Sequence, residues 1–170
     1  EVDSIAAEDT RHTGRLLKHL DIQNRLESYH DHNKEGKTPS LIRRLSQGEN
    51  IAVVTDAGTP GISDPAFYLV RAAVAAGVTV SPIPGATAAI AALVASGLPT
   101  DRFAFEGFLP PKKGRKTRLE QLALEPRTLI IYESPLRIVR TLKDLLDYWG
   151  DRNIVIGREM TKQFEEWIRG

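Results

Sequence analysis

Residues 56–65 read DAGTPGISDP and join the segment Ile51–Thr55 to a helical pattern. Ile51–Thr55 is short, apolar and rich in β-branched residues, which predicts a buried strand. Gly58 and Gly61 permit positive φ angles and leave backbone N–H groups uncovered. A loop of this composition after a strand predicts a cradle for a ligand.

The end of the loop predicts a helix start. Asp64 has the side chain of an N-cap, and Pro65 suits the first helical position. The unpaired N–H groups of that helix end favour a polar ligand. An ordinary strand-to-helix turn is the alternative interpretation, although ten residues exceed the usual length of about two to six.

A second loop of the same kind reads PIPGAT at residues 82–87. It follows a predicted short strand, Val78–Val80, and precedes the alanine-rich stretch 88–95, which predicts a helix. We expect these two loops to face one pocket.

Strand-like and helix-like segments alternate along the whole chain, with Thr38 and Pro39 predicted to begin one of the helices. The alternation predicts an α/β fold with a mostly parallel sheet. The composition changes near Pro110 and Pro111, where two prolines are followed by a basic cluster. This change predicts two domains, an N-terminal α/β domain at 1–107 and the start of a second at 108–170.

Composition excludes several classes of protein. The net charge of +1 gives no strong overall attraction for nucleic acid, so a basic contact surface must be local. The chain has no cysteine, which excludes a disulfide framework and a thiol nucleophile and suggests a reducing compartment, the cytoplasm. No apolar run approaches the roughly 20 residues of a membrane span. Because the first residue is not methionine, we expect the chain to be a fragment.

Six spaced motifs together span nearly the whole chain. The motifs are AAEDTRHT at 6–13, SYHDHN at 28–33, DAGTPGISDP at 56–65, SGLPTDRFAFEGFLP at 96–110, YESPLR at 132–137 and REMTKQFEE at 158–166. In sequence and in order they resemble the bacterial 16S ribosomal RNA (cytidine 2′-O)-methyltransferase family of the tetrapyrrole methylase superfamily.

The resemblance implies S-adenosylmethionine as methyl donor, 16S ribosomal RNA of the small subunit as substrate, a homodimer, and two α/β domains with the cofactor in the cleft between them. It also implies a set of cofactor-binding residues. These are Asp56, Ala57, Gly58, Thr59, Ile62, Thr87, Ala88, Tyr132 and Glu133. The family has a first strand and an Ala-Thr-Pro-Ile-Gly-Asn-type loop before the position of Glu1, and a C-terminal part beyond Gly170. We therefore expect this chain to bind the cofactor weakly or not at all.

Methyl transfer to a ribose hydroxyl requires removal of the hydroxyl proton. The carboxylates of Glu8, Asp9 and Glu133 are the predicted proton acceptors, and Arg11 is predicted to hold Asp9 or to contact an RNA phosphate. Helix capping is an alternative interpretation of Glu8 and Asp9. A tetrapyrrole methyltransferase and a non-catalytic RNA-binding module are alternatives to the RNA-methylating enzyme.

A basic run follows the two prolines and predicts RNA phosphate contacts from a loop. Its candidate residues are Lys112, Lys113, Arg115 and Lys116. A solvated interdomain loop is the alternative interpretation. His30 and His32 flank Asp31, but two imidazoles without a third placed ligand make a weak metal site, so no metal is predicted.

Overall fold

The computed structural model describes all 170 residues. Backbone contacts divide them into two compact units, Glu1–Gly85 and Ala86–Gly170. The domain boundary predicted after residue 107 lies inside the second unit and stays a prediction.

The first unit is a three-stranded parallel sheet with three helices. Its strands are β1 (Ser4–Ala7), β2 (Arg25–Ser28) and β3 (Ile51–Val54), in the order β2-β1-β3. Its helices are α1 (Thr10–His19), α2 (Lys34–Ser46) and α3 (Ala66–Ala75). Ala7 pairs in register with Ser28 on one side and Val54 on the other, so the three strands end at the same edge.

The core of the first unit is small and mostly aliphatic. It is formed by Ala6, Tyr29, Leu41 and Leu69, with Ile42, Ile51 and Val53 packed against them. The one buried hydroxyl of this cluster is satisfied, because Tyr29 Oη lies 2.9 Å from Thr38 Oγ1.

The predicted start of α2 is wrong. The helix begins at Lys34, where Asn33 is the cap residue, and Pro39 lies inside it. The Asn33 side chain accepts from the His30 N–H and closes the preceding turn, so the helix starts one turn earlier than the proline suggests. Thr38 is helical and donates to the Lys34 carbonyl oxygen at 2.7 Å. Pro39 costs this helix one backbone hydrogen bond.

The strand predicted at Val78–Val80 is also wrong. These residues are irregular and the chain is exposed from 79 to 86. A strand needs a neighbour to receive its backbone hydrogen bonds, and none pairs with this segment.

The second unit has two small sheets and three helices. Strands β4 (Phe103–Phe108) and β5 (Thr128–Tyr132) are parallel, and β6 (Val155–Arg158) and β7 (Glu166–Arg169) are antiparallel. The helices are α4 (Ala88–Ser96), α5 (Arg115–Leu122) and α6 (Ile138–Trp149). The core is formed by Leu109, Leu119 and Leu122, with Leu129, Ile131, Leu145 and Trp149 against them. None of the helices in the chain is both long and apolar enough to cross a bilayer.

Candidate functional site

Glu8 joins the end of β1 to the loop that follows β3. Its backbone N–H donates to the Val54 carbonyl oxygen at 3.1 Å. Its carboxylate Oε2 accepts from the Thr55 hydroxyl at 2.6 Å and from the Asp56 N–H at 3.2 Å. Glu8, predicted as a proton acceptor, thus uses this oxygen to fix the start of the loop 56–65.

Asp9 caps helix α1. Its Oδ1 accepts from the Arg11 N–H at 2.8 Å, and its two oxygens accept from the Arg11 guanidinium at 3.1 and 2.7 Å. The hydrogen bonds from the Arg11 side chain and backbone hold the pKa of Asp9 far below its usual range. The helix-capping alternative is therefore the arrangement found in the structure, and such a carboxylate is a weak base.

The loop 56–65 is an open, mostly exposed turn. Gly58 and Gly61 have φ angles of 73° and 85°. A Cβ added at Gly58 would meet nothing within 4 Å, so the backbone there is bare. Asp64 Oδ1 accepts from the Gly61 N–H at 2.9 Å and the Ala66 N–H at 2.8 Å, which fixes the loop end although α3 begins one residue later than predicted.

Five of the predicted cofactor-binding residues lie in this loop. They are Asp56, Ala57, Gly58, Thr59 and Ile62. Ile62 is 45% exposed and is the one large apolar side chain of this loop. The loop thus offers a carboxylate, bare backbone and one apolar side chain, a set that suits a cationic small molecule with an apolar portion.

His12 is a functional candidate that sequence reasoning missed. It lies in the first turn of α1, and its Nδ1 is 3.3 Å from Asp56 Oδ1. The histidine and the aspartate belong to different motifs, AAEDTRHT and DAGTPGISDP. Only the pairing of β1 with β3 brings them together, so no local pattern predicts the contact.

The remaining predicted cofactor residues lie in the second unit. Thr87 is the cap residue of α4 and has an extended backbone, and Ala88 is the first helical residue. Tyr132 ends β5, and its ring centroid is 5.0 Å from that of Phe105 and 5.7 Å from that of Phe108.

Glu133 follows β5 and is buried, with its side chain 5% exposed. Its carboxylate accepts from the Ser134 N–H at 2.7 Å and the Thr141 hydroxyl at 2.6 Å, and pairs with Arg137 at 2.8 Å. Burial raises the pKa of Glu133, but the bonds from Thr141, Ser134 and Arg137 together outweigh it and lower the pKa. The carboxylate is ionised and engaged on both oxygens.

The structure corrects the basic run at one position. Arg115 is buried, its Nε bonds Asp144 Oδ2 at 2.7 Å, and its remaining nitrogens donate to the Thr141 hydroxyl and the Pro110 carbonyl. Each of its three nitrogens has a protein partner and the side chain is only 8% exposed, so Arg115 is not available to a phosphate at the surface.

The three lysines of the basic run are exposed, unlike Arg115. Lys112 and Lys113 are exposed and form no ion pair. Lys116 is 74% exposed and lies 3.7 Å from Glu120. From Arg115 onward the segment is helix α5 rather than the predicted loop.

The His30 and His32 rings meet edge-on, with centroids 6.0 Å apart. His30 Nε2 lies 3.3 Å from Asn33 Nδ2, which belongs to the turn before α2. No group of three or more histidine, aspartate or glutamate side chains in the chain is arranged to hold a metal ion.

The family model described as "Tetrapyrrole (Corrin/Porphyrin) Methylases" matches residues 1–170. The chain belongs to the tetrapyrrole methylase family. Two curated relatives carry the name ribosomal RNA small subunit methyltransferase I. The Synechocystis protein is 56% identical over 99% of this chain and 61% of its own length. The Escherichia coli O157:H7 protein is 54% identical over 96% of this chain and 58% of its own length. This tetrapyrrole methylase chain thus spans about 60% of the length of the curated relatives it matches, and the resemblance inferred from the six motifs is confirmed.

Solved structures confirm the predicted tetrapyrrole-methylase-like α/β fold. A uroporphyrin-III C-methyltransferase from Thermus thermophilus, complexed with S-adenosyl homocysteine, superposes with a TM-score of 0.60 at 22% identity and covers 100% of this chain and 76% of its own. A cobalt precorrin-4 methyltransferase superposes with a TM-score of 0.64 at 18% identity, and the match covers 99% of this chain and 74% of that protein. At such identities the likeness establishes the fold alone.

Proposed function

We propose that the intact protein containing this tetrapyrrole methylase chain transfers a methyl group from S-adenosylmethionine to the ribose 2′-oxygen of a cytidine in 16S ribosomal RNA. The observation that carries the proposal is the identity of 54–56% to relatives named ribosomal RNA small subunit methyltransferase I across almost the whole chain.

The cofactor would lie on the loop 56–65. Its carboxylate, bare glycine backbone and exposed Ile62 suit a sulfonium compound with an apolar methionine chain. Thr87, Ala88, Tyr132 and Glu133 are the further proposed contacts. When bound, S-adenosylmethionine supplies a methyl group already activated by the sulfonium charge, so the chemistry requires no metal.

The predicted acids act in this proposal mainly by positioning. Glu8 holds Thr55 and the Asp56 N–H, and so fixes the start of the proposed cofactor loop. Glu133 fixes the chain after β5 through Ser134 and Thr141. Asp9 holds the start of α1 and binds Arg11.

RNA would be contacted by the exposed cations. Lys112, Lys113 and Lys116 carry charge that no buried partner neutralises, and Arg11 is 88% exposed although it is paired with Asp9. Lysine contacts to phosphate add affinity without reading sequence. Selection of one cytidine must then come from other groups. A homodimer in the cytoplasm, acting on the small ribosomal subunit, completes the proposal.

Labelled methyl transfer tests the proposal. The intact protein is incubated with methyl-labelled S-adenosylmethionine and either 16S ribosomal RNA or small subunits, and the RNA is digested to nucleosides. We expect label on the ribose of one cytidine. Label on a base, or transfer to uroporphyrinogen in its place, contradicts the proposal.

Calorimetry distinguishes the non-catalytic alternative. An RNA-binding module without turnover would bind RNA and give no heat with S-adenosylmethionine. We expect the intact protein to bind the cofactor.

A further inference from the structure

We propose that His12 accepts the proton of the ribose hydroxyl during methyl transfer and that Asp56 positions its imidazole. This inference rests on the proposed function and adds to it a catalytic residue and a positioning residue.

The pair stands at the edge where the parallel strands of the first unit end. His12 lies in the first turn of α1, just after β1, and Asp56 opens the loop after β3. Their Nδ1 and Oδ1 atoms are 3.3 Å apart, and their side chains are 55% and 36% exposed. The two atoms lie within ion-pair distance without forming a hydrogen bond, and the contacts of catalytic pairs often tighten only when substrate binds. Asp56 belongs to the proposed cofactor loop, so the imidazole stands beside it.

The contact sets the chemistry of the ring. A carboxylate next to Nδ1 favours the neutral tautomer that carries its proton on Nδ1, which leaves the Nε2 lone pair free to accept a proton. No group of the chain hydrogen-bonds Nε2. Asp56 is itself held, because its N–H donates to Glu8.

Charged groups surround the pair from each neighbouring element. Asp56 comes from the loop after β3, Glu8 from the end of β1, and Asp9 and Arg11 from the start of α1. Arg11 donates hydrogen bonds to Asp9 and interacts electrostatically with Asp56. The His12 ring and Glu8, through its second oxygen Oε1, each combine a free acceptor atom with an orienting partner. An imidazole is intrinsically the stronger base of the two.

The other candidates have less capacity to take a proton. Asp9 accepts three bonds from Arg11, and Glu133 is engaged on both oxygens by Thr141, Ser134 and Arg137. Glu8 Oε2 accepts from Thr55 and Asp56. A general base contributes about 10²–10⁴-fold when it is positioned with a free lone pair.

The step balances without another reactant. The ribose 2′-oxygen forms a bond to the methyl carbon, and the carbon–sulfur bond breaks with its electron pair remaining on sulfur. The hydroxyl proton passes to His12 Nε2, which gives an imidazolium that the Asp56 carboxylate stabilises.

The test compares His12→Gln with His19→Gln in the intact protein. His19 lies in the last turn of the same helix, is exposed and forms no ion pair. We expect single-turnover transfer to fall roughly 10²–10⁴-fold in His12→Gln. Calorimetric affinity for S-adenosylmethionine and the affinity for 16S RNA should stay unchanged, and His19→Gln should retain full transfer.

Two further measurements separate catalysis from structure. Added imidazole should restore part of the rate of His12→Ala and leave the unmodified protein unaffected. In the cofactor-free protein, ¹⁵N NMR should show His12 protonated on Nδ1, and Asp56→Asn should mix the two tautomers.

Each contrary result overturns one idea. Full transfer in His12→Gln, or loss of cofactor affinity in step with the rate, overturns the role of His12. Absence of ribose methylation by the unmodified protein overturns the proposed function instead. If both hold but the tautomer is unchanged in Asp56→Asn, then Asp56 is not the positioning residue.

Discussion

Glu8 and Glu133 occupy equivalent places in the two units, since each follows the end of a parallel strand. Glu8 is half-buried and fixes the start of an open loop through one carboxylate oxygen. The Glu133 side chain is only 5% exposed and is engaged by three partners on both oxygens. The same residue type at the same kind of strand end therefore serves an open site in one unit and a closed polar network in the other.

The closed network extends beyond Glu133. The Thr141 hydroxyl donates to Glu133 and accepts from Arg115, which is paired with Asp144. Each side chain of this network is a hydrogen-bond or ion-pair partner of another, so removing one of them leaves a buried polar group without a partner. At the open edge around Asp56, water can replace a lost bond. Substitutions should accordingly cost stability in the network and chiefly change ligand binding at the open edge.

The largest expected effect comes from breaking the network. Arg115→Met should lower the free energy of unfolding by about 3 kcal/mol, because it leaves Asp144 and Thr141 without their buried partner. Urea unfolding measures the change.

Lys112→Met is the matched control, because Lys112 is exposed and unpaired, and it should change stability by less than about 0.5 kcal/mol. Adding Asp144→Leu to Arg115→Met should recover part of the loss. Equal stabilities of Arg115→Met and Lys112→Met would show that the network contributes nothing.

A smaller effect is expected at the open edge. Gly58 has φ 73° with free space around it, so Gly58→Ala meets backbone strain but no clash and should cost about 1 kcal/mol. Gly36 also has free space but lies in α2, so Gly36→Ala should stabilise by about 0.5 kcal/mol.

Thermal unfolding measures the stability of the two glycine variants. We expect Gly58→Ala to lower it and Gly36→Ala to raise it. If Gly58→Ala were as stabilising as Gly36→Ala, the left-handed conformation of the loop would be incorrect. Cofactor affinity of the intact protein should fall in Gly58→Val, where the side chain covers the bare backbone.

The sequence predicted those parts of the structure that depend on neighbouring residues. The alternation of segments, the glycine conformations in the loop 56–65 and the role of Asp64 at its end are all local. The helix start at Thr38 was misplaced because Pro39 is accommodated inside the helix rather than at its first position. Asn33 precedes the helix and accepts a hydrogen bond from the His30 N–H, which closes the turn before Lys34.

Two other errors depend on residues distant in sequence. Arg115 sits in a basic run, and nothing in that run shows that its partner Asp144 lies 29 positions later. The contact between His12 and Asp56 likewise exists only because β1 pairs with β3. A sequence shows which charges are present, whereas topology decides which of them are neutralised.

The smallest expected effect is a pH dependence of stability, which compares the carboxylate of Glu133 inside the network with that of Glu125 outside it. The pKa of Glu133 is lowered from 4.5 even though burial opposes this. The pKa of Glu125 is lowered to about 2, first by the side-chain hydrogen bond from Arg127, whose own side chain is 43% exposed. A carboxylate with a lowered folded-state pKa contributes stability above its unfolded value of 4.5, and loses it as pH falls through the folded value.

Glu133→Gln should therefore destabilise the protein at neutral pH, and the difference from the unmodified protein should shrink as pH falls below 4.5. Glutamine keeps one acceptor for Thr141, which makes this effect smaller than that of Arg115→Met. Glu125→Gln is the comparison outside the network, and it should change stability less than Glu133→Gln because solvent screens its partner Arg127, whose side chain is 43% exposed. Unfolding free energies between pH 2 and 7 measure both. A difference for Glu133→Gln that grew in acid would mean that burial prevails over the hydrogen bonds, and Glu133 would then be a group poised to hold a proton rather than a fixed ionised member of the network.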